Sequence, residues 1–262
     1  CVEVTYWVYP PDVEKAAPSF RRAAEMVDWF TETIGPYPFS KLANVQSATR
    51  FGGMENASAI FYSEQAIASG RNIEGTVSHE IAHQWFGDAV TESSWHHLWL
   101  SEGFATYFGA LFFEAVDGPA RFREILAGSW RGYTQSNVTD LPVVDTLNTP
   151  GNDLLQLLNA NSYNKGGAIL HMLRGVVGDS AFFDGVRRYF RDHAFAATTL
   201  GDLLGAGGDV THRPDLGRDR QHGASADGRT DRRDGFGGPR GARRRTLRPD
   251  RHDRRSLRPP PH

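Results

Sequence analysis

Residues 79–102 read HEIAHQWFGDAVTESSWHHLWLSE. His79 and His83 are four apart, and positions i and i+4 share a helix face, so both imidazoles can address one metal ion. Glu80 lies one position round from His79. It is badly placed to be a ligand of the same ion but close enough to hold a water beside it. A catalytic zinc takes three protein ligands and keeps a fourth position open. Glu102 is the natural third ligand, because it follows a break and opens a second apolar run, GFATYFGALFFEAV. The pattern predicts one Zn2+ held by His79, His83 and Glu102, with Glu80 as general base of a hydrolysis. The plain alternative is a buried amphipathic helix with two hydrogen-bonded histidines, and Ile81, Ala82, Trp85 and Phe86 have the periodicity for it.

Two helices must carry these groups. The first is expected over 73–86, with Asn72 as N-cap and Gly87 as its stop. The second is expected over 102–116, with Ser101 as N-cap. Upstream, VEVTYWVY reads as a strand ending at Pro10-Pro11. Ala23, Met26, Val27, Phe30 and Ile34 fall at helical spacing, predicting a helix after Pro18-Ser19 that stops at Gly35-Pro36. LANVQSAT and the stretch after the glycine pair of FGGMENASAIFY read as extended. Further helices are expected over 119–130, 162–177 and 180–192, with 131–153 rich in loop. The fold class is α+β, mainly α, with a small edge sheet and a helical bundle. His96 and His97 precede Glu102 in a short segment and are expected to pack or to support the ligands from behind.

These motifs together resemble a known family. His79-Glu80-x-x-His83, eighteen residues and then Glu102, with Gly-Gly-Met-Glu-Asn at 52–56 upstream, is similar to the M1 family of zinc aminopeptidases. These are gluzincins related to alanyl aminopeptidase and leukotriene A4 hydrolase. The resemblance covers roughly residues 1–204 and implies a thermolysin-like catalytic domain, without the family's N-terminal β-domain and C-terminal helical domain. It implies that Glu55 binds the free α-ammonium of a peptide, with Gly52, Gly53 and Met54 lining the substrate. A carboxylate at a fixed distance from the metal limits cleavage to the first peptide bond. SYNKGGA at 162–168 resembles the family's tyrosine motif and implies that Tyr163 donates a hydrogen bond to the oxyanion. Lys165 reads as a structural charge. Gly53 stands where the family commonly has Ala, and Ser101 where it often has Asn. The expected function is hydrolysis of the N-terminal peptide bond of peptides with a free amine. The alternatives are another gluzincin hydrolase, endopeptidase or epoxide hydrolase, or a fragment that binds zinc without turnover.

Charge is unevenly spread. Up to residue 204 there are 14 basic side chains against 23 acids, and beyond it 15 arginines against 8 aspartates, so −9 and +7 lie behind the overall −2. Residues 205–262 contain no Lys, Glu, Ile, Trp or Tyr and have no apolar period. Such a segment buries too little apolar surface to offset its ordering entropy and is expected to be disordered. It reads as a basic arm, a featureless tail, or out-of-frame translation of GC-rich DNA, and the restricted alphabet favours the last. No nucleic-acid partner is expected. The single cysteine, Cys1, rules out an internal disulfide. No apolar run is long enough to span a bilayer. The chain starts without Met inside a strand-like segment, which reads as a fragment whose targeting segment is missing. A soluble protein is expected, with cytoplasmic and exported locations both open.

Overall fold

The computed structural model describes residues 2–144 and 154–211, with side chains as far as Ala206. In chain order the elements are β1 (Glu3–Trp7), α1 (Val13–Phe20), α2 (Ala23–Thr33), β2 (Lys41–Ser47), β3 (Gly53–Met54), β4 (Ala59–Ser63) and α3 (Glu64–Ala68). Then come α4 (Glu74–His83), β5 (Val90–Glu92), α5 (Trp99–Asp117), α6 (Pro119–Thr134), α7 (Gly166–Val177), α8 (Asp179–His193), β6 (Ala196–Thr198) and α9 (Leu200–Thr211). The architecture is α+β and mainly helical, as the sequence implies. One sheet has the order β1-β2-β4-β3, with β1, β2 and β4 parallel and β3 antiparallel to β4. A second, two-stranded parallel sheet joins β5 to β6.

The expected helix after Pro18-Ser19 is α2, but a further helix, α1, precedes it and contains Pro18. Proline removes one backbone donor, and the chain turns at Arg21-Arg22 before α2 begins. The N-cap of α4 is Ile73, one residue after the expected Asn72, whose Oδ1 instead accepts from the Glu74 backbone N–H at 3.0 Å from just outside the helix. The expectation for Ser101 is corrected: α5 starts at Trp99, three residues earlier than expected, and the buried Ser101 hydroxyl donates to the Leu98 carbonyl at 3.1 Å. The cap sits upstream, where Ser94 Oγ accepts from His96 N–H ahead of a 3₁₀ turn, Trp95–His97, that runs straight into α5. Helix α9 continues through position 204, where composition places the end of the folded body, to Thr211. Residues 212–262, most of the Arg-rich tail, lie outside the described residues, as do 145–153 of the expected loop.

Helix α5 is apolar nearly all round, because it is packed on several sides. Against α4 it presents Gly109, where a β-carbon would come within 3.3 Å of the His79 backbone, and the Ser78 hydroxyl donates to the Gly109 carbonyl at 3.1 Å. Against α7 it presents Gly103, which meets Gly166 backbone to backbone. Phe86, Phe104, Phe108 and Tyr189 cluster at centroid separations of 4.5–6.1 Å and join the α4–β5 corner to α5 and α8.

The far ends of the two metal-facing helices are tied by Arg22. Its guanidinium donates to Glu74 at 2.6 and 2.9 Å and to Asp117 at 2.9 and 3.1 Å, and it lies 5.4 Å from the ring centroids of Phe112 and Phe113. Glu74 is buried at the first turn of α4, so removing its partner strands a carboxylate away from water. Arg22→Met is therefore expected to cost about 3–5 kcal/mol in urea unfolding. A loss below about 1 kcal/mol would mean that Glu74 is solvated without Arg22.

Candidate active site

Helix α4 brings His79 and His83 to one face, and the first turn of α5 brings Glu102 opposite them. His79 Nε2 and His83 Nε2 lie 3.2 and 3.1 Å from Glu102 Oε2 and 3.0 Å from each other. His83 is buried, while His79 keeps 18% of its side chain exposed towards the cleft. The His83 tautomer is fixed by its surroundings. Nδ1 lies 2.9 Å from the Phe86 carbonyl, which can only accept, so Nδ1 carries the proton and Nε2 presents its lone pair. His83 Nε2 and Glu102 Oε2 are then two acceptors at hydrogen-bond distance with His79 Nε2 beside both, and a shared cation or proton satisfies them. The edge of a tetrahedron of zinc ligands is about 3.3 Å, close to the separations found. Two imidazoles, one carboxylate and an approachable side are the donor set of a catalytic zinc, so the residues fit that ion.

The same convergence governs the local electrostatics. Burial alone would lower the His83 pKa, but the carboxylates of Glu102, Glu55 and Glu80 outweigh it and raise it to about 10. Burial alone would raise that of Glu102, but the two imidazoles hold it well below the usual carboxylate range. The site is thus built around one positive charge.

Glu80 faces the same cavity as the two imidazoles. It is buried, and burial raises its pKa, opposed by His79 and His83 and reinforced by Glu55 and Glu102. A raised pKa is the direction that suits a carboxylate to accept and return a proton near neutrality. Gly53 makes room for it, since a β-carbon there would overlap the Glu80 carboxylate. Carboxylate oxygens of Glu55 and Glu80 and a ring nitrogen of His83 lie within 4.8 Å of one another. Tyr163 stands on a single π-helical turn, Asn161–Lys165, that leads into α7. Its hydroxyl donates to Glu102 Oε1 at 2.7 Å, and its ring stacks on His79 with centroids 5.8 Å apart. Burial and then Glu102 raise the Tyr163 pKa far above its ordinary value, so the group stays a donor.

All these groups open onto one cavity of about 590 Å³, bounded on the far side by Gly75, Thr76, Ile125 and Ser129. Gly52 and Gly53 line it, while Met54 lines an adjoining cavity of about 230 Å³. Gly53 and Met54 form β3, paired with Tyr62 and Phe61 of β4. His96 and His97 lie on the 3₁₀ turn before α5, half-buried, outside the metal-facing triad. Lys165 acts structurally, its Nζ donating to the Leu141 carbonyl at 2.6 Å.

Residues 19–214 match the Peptidase family M1 domain. The chain belongs to the peptidase M1 family. It is 36% identical over 197 residues to aminopeptidase N of Streptomyces lividans, covering 68% of this chain and 22% of the relative. It is 31% identical over 223 residues to human endoplasmic reticulum aminopeptidase 1, covering 77% and 23%. The chain thus spans about a quarter of the length of these M1 relatives. The structure resembles a variant of an M1 zinc metallopeptidase from Deinococcus radiodurans, with TM-score 0.59 and 28% identity over 72% of this chain and 41% of the other. It also shares its fold with yeast leukotriene A4 hydrolase, with TM-score 0.71 and 23% identity over 79% and 35%.

Sequence reasoning passed over Gln84 in this M1 site. The side chain is fully buried. Its Nε2 donates to the Glu55 carbonyl at 2.9 Å and to Asp88 Oδ2 at 2.7 Å, and its Oε1 accepts from Ser58 N–H at 2.8 Å and from the Tyr37 hydroxyl at 3.1 Å. One amide thereby ties the Glu55 loop to the end of α4. The available signal was an amide set among Ile81, Ala82, Trp85 and Phe86, a polar group that burial obliges to find partners. Asp88 was passed over as well. Burial pushes its carboxyl up to about 7, opposed by His83 and reinforced by Glu55 and Glu80.

Proposed function

We propose that this chain carries the reaction centre of a zinc-dependent aminopeptidase, which hydrolyses the first bond of peptides that have a free N-terminus. The supporting observation is the nearness of Glu55 to Glu80 and His83. It sets an ammonium-binding carboxylate about one residue's reach from the metal ligands. His79, His83 and Glu102 would hold the ion, which supplies Lewis acidity that acidifies a water and polarises the scissile carbonyl. Glu80 takes a proton from the attacking water onto its carboxylate and later returns it to the departing amine. The Tyr163 hydroxyl leaves Glu102 Oε1 to donate to the oxygen that gains charge. Glu55 holds the ammonium, so the peptide is read from its end.

The test compares free with N-acetylated aminoacyl anilides in the presence of zinc, for the unaltered chain and for Glu55→Ala. The unaltered chain is expected to turn over the free substrates only. Glu55→Ala is expected to lose on the order of 10²–10³ in kcat/KM on them, the cost of truncating one partner of a desolvated charge pair. Equal turnover of blocked and free substrates would refute the reading and leave an endopeptidase. Tyr163→Phe is expected to lower kcat by roughly 10²–10³ with little change in KM, as for loss of an oxyanion donor. A rise in KM alone would place that hydroxyl in ground-state binding.

A further inference from the structure

The second cavity adjoins the reaction centre on the side of Glu55, and the two share Phe51, Gly53, Glu55, Glu102 and Tyr163 in their walls. Its composition differs from that of the first. Met54, Trp95, Leu98, Leu155 and Leu158 form an apolar wall. Asp88 and Glu92 line it as well, and none of its described lining residues is Lys, Arg or His. Among the described residues neither acid forms an ion pair, although His83 opposes the upward shift of both carboxyls. Asp88 Oδ2 accepts only the neutral amide of Gln84 at 2.7 Å. Glu92 Oε2 is shut off from solvent and has no hydrogen-bond partner among the described residues. Both side chains are half-buried, so each carboxylate has lost part of its hydration, and an arriving cation would offset that cost.

Peptide geometry says what enters this space. The first side chain leaves the same α-carbon as the ammonium, so an ammonium held at Glu55 puts that side chain into a space bordered by Glu55. The remainder of the peptide can follow the larger cavity towards Gly75 and Ser129. We propose that the smaller cavity receives the first side chain and that Asp88 and Glu92 select a basic one, lysine or arginine. A lysine or arginine stem lies along Met54, Leu155 and Leu158 while its charged end reaches the acids, the division that long cationic side chains favour. A cavity of about 230 Å³ has room for either.

This inference rests on the reading of Glu55 given above, and the experiment separates the two. Anilides of lysine, arginine and norleucine are compared, norleucine matching the lysine stem without its charge. The basic substrates are expected to exceed norleucine by about tenfold or more in kcat/KM, the scale of one desolvated charge contact. Glu92→Gln is expected to bring the lysine-to-norleucine ratio down towards unity. Norleucine matching or exceeding lysine, or a ratio that Glu92→Gln does not move, overturns the inference and leaves the aminopeptidase reading standing. If no anilide is turned over, the aminopeptidase reading fails instead. Calorimetry of the zinc-loaded chain with lysinamide and norleucinamide then decides the inference by itself: tighter lysinamide binding supports it, and equal or weaker binding overturns it.

Discussion

Glu80→Gln lowers turnover by on the order of 10²–10⁴ while zinc stoichiometry stays at one per chain. Glutamine keeps the shape of the side chain and its ability to orient a water, and removes the capacity to take a proton. The ligand atoms are untouched, because His79, His83 and Glu102 converge without Glu80. The substitution is also benign for folding. A neutral amide is easier to bury than a carboxylate, and Glu80 is 6% exposed. Kinetics on an aminoacyl anilide, metal analysis of the purified variant and its thermal midpoint separate the outcomes. Near-normal turnover would remove Glu80 as the base. Loss of zinc together with activity would make it a ligand.

The parts of the site that were legible in the sequence are those whose geometry is local. His79 and His83 share a face by helical spacing alone, and the apolar run opened at Glu102 announces a second helix. The convergence of the two helices is not local. It depends on Gly109 lying against the His79 backbone and on Ser78 bonding across to the Gly109 carbonyl. Both look like ordinary helix residues in the sequence. Glu55 and Tyr163 were reached only through family resemblance. Nothing in GGMEN says that β3 pairs with β4 so as to place Glu55 beside Glu80, and Tyr163 is 61 positions from the carboxylate it touches. The Ser101 cap failed because a serine before an apolar run is a good start signal only when the preceding backbone is extended. Here Leu98 already has helical angles, φ −50 and ψ −26. Helix α9 runs across position 204, since composition says what a segment can bury over many residues, not where its last helical turn ends.

Gly103→Ala is expected to lower stability by about 1–3 kcal/mol and kcat/KM by on the order of 10²-fold, a larger effect than one methyl group ordinarily has. A β-carbon at 103 would lie 2.9 Å from both the carbonyl carbon and the α-carbon of Gly166. Those atoms belong to a helix backbone, which has no rotamer to yield, so α5 and α7 must separate. The residues on either side of this crossing are ones to which the proposed reaction assigns a role. Glu102 precedes Gly103, and Tyr163 stands three positions before Gly166 on the π-helical turn. Separating the helices therefore pulls on the 2.7 Å bond between the Tyr163 hydroxyl and Glu102 Oε1 and displaces the third ligand from the two imidazoles. Gly175→Ala on α7 is the matched control, since no atom lies within 4 Å of a β-carbon there. It is expected to be neutral or to stabilise by about 0.5–1 kcal/mol through helix propensity. Urea unfolding and anilide kinetics on both variants, with zinc affinity by competition against a chelating dye, check the argument. A Gly103→Ala chain as stable and as active as the parent would show that the crossing can open without moving Glu102, and the close approach of α5 to α7 would then not be what positions the ligand.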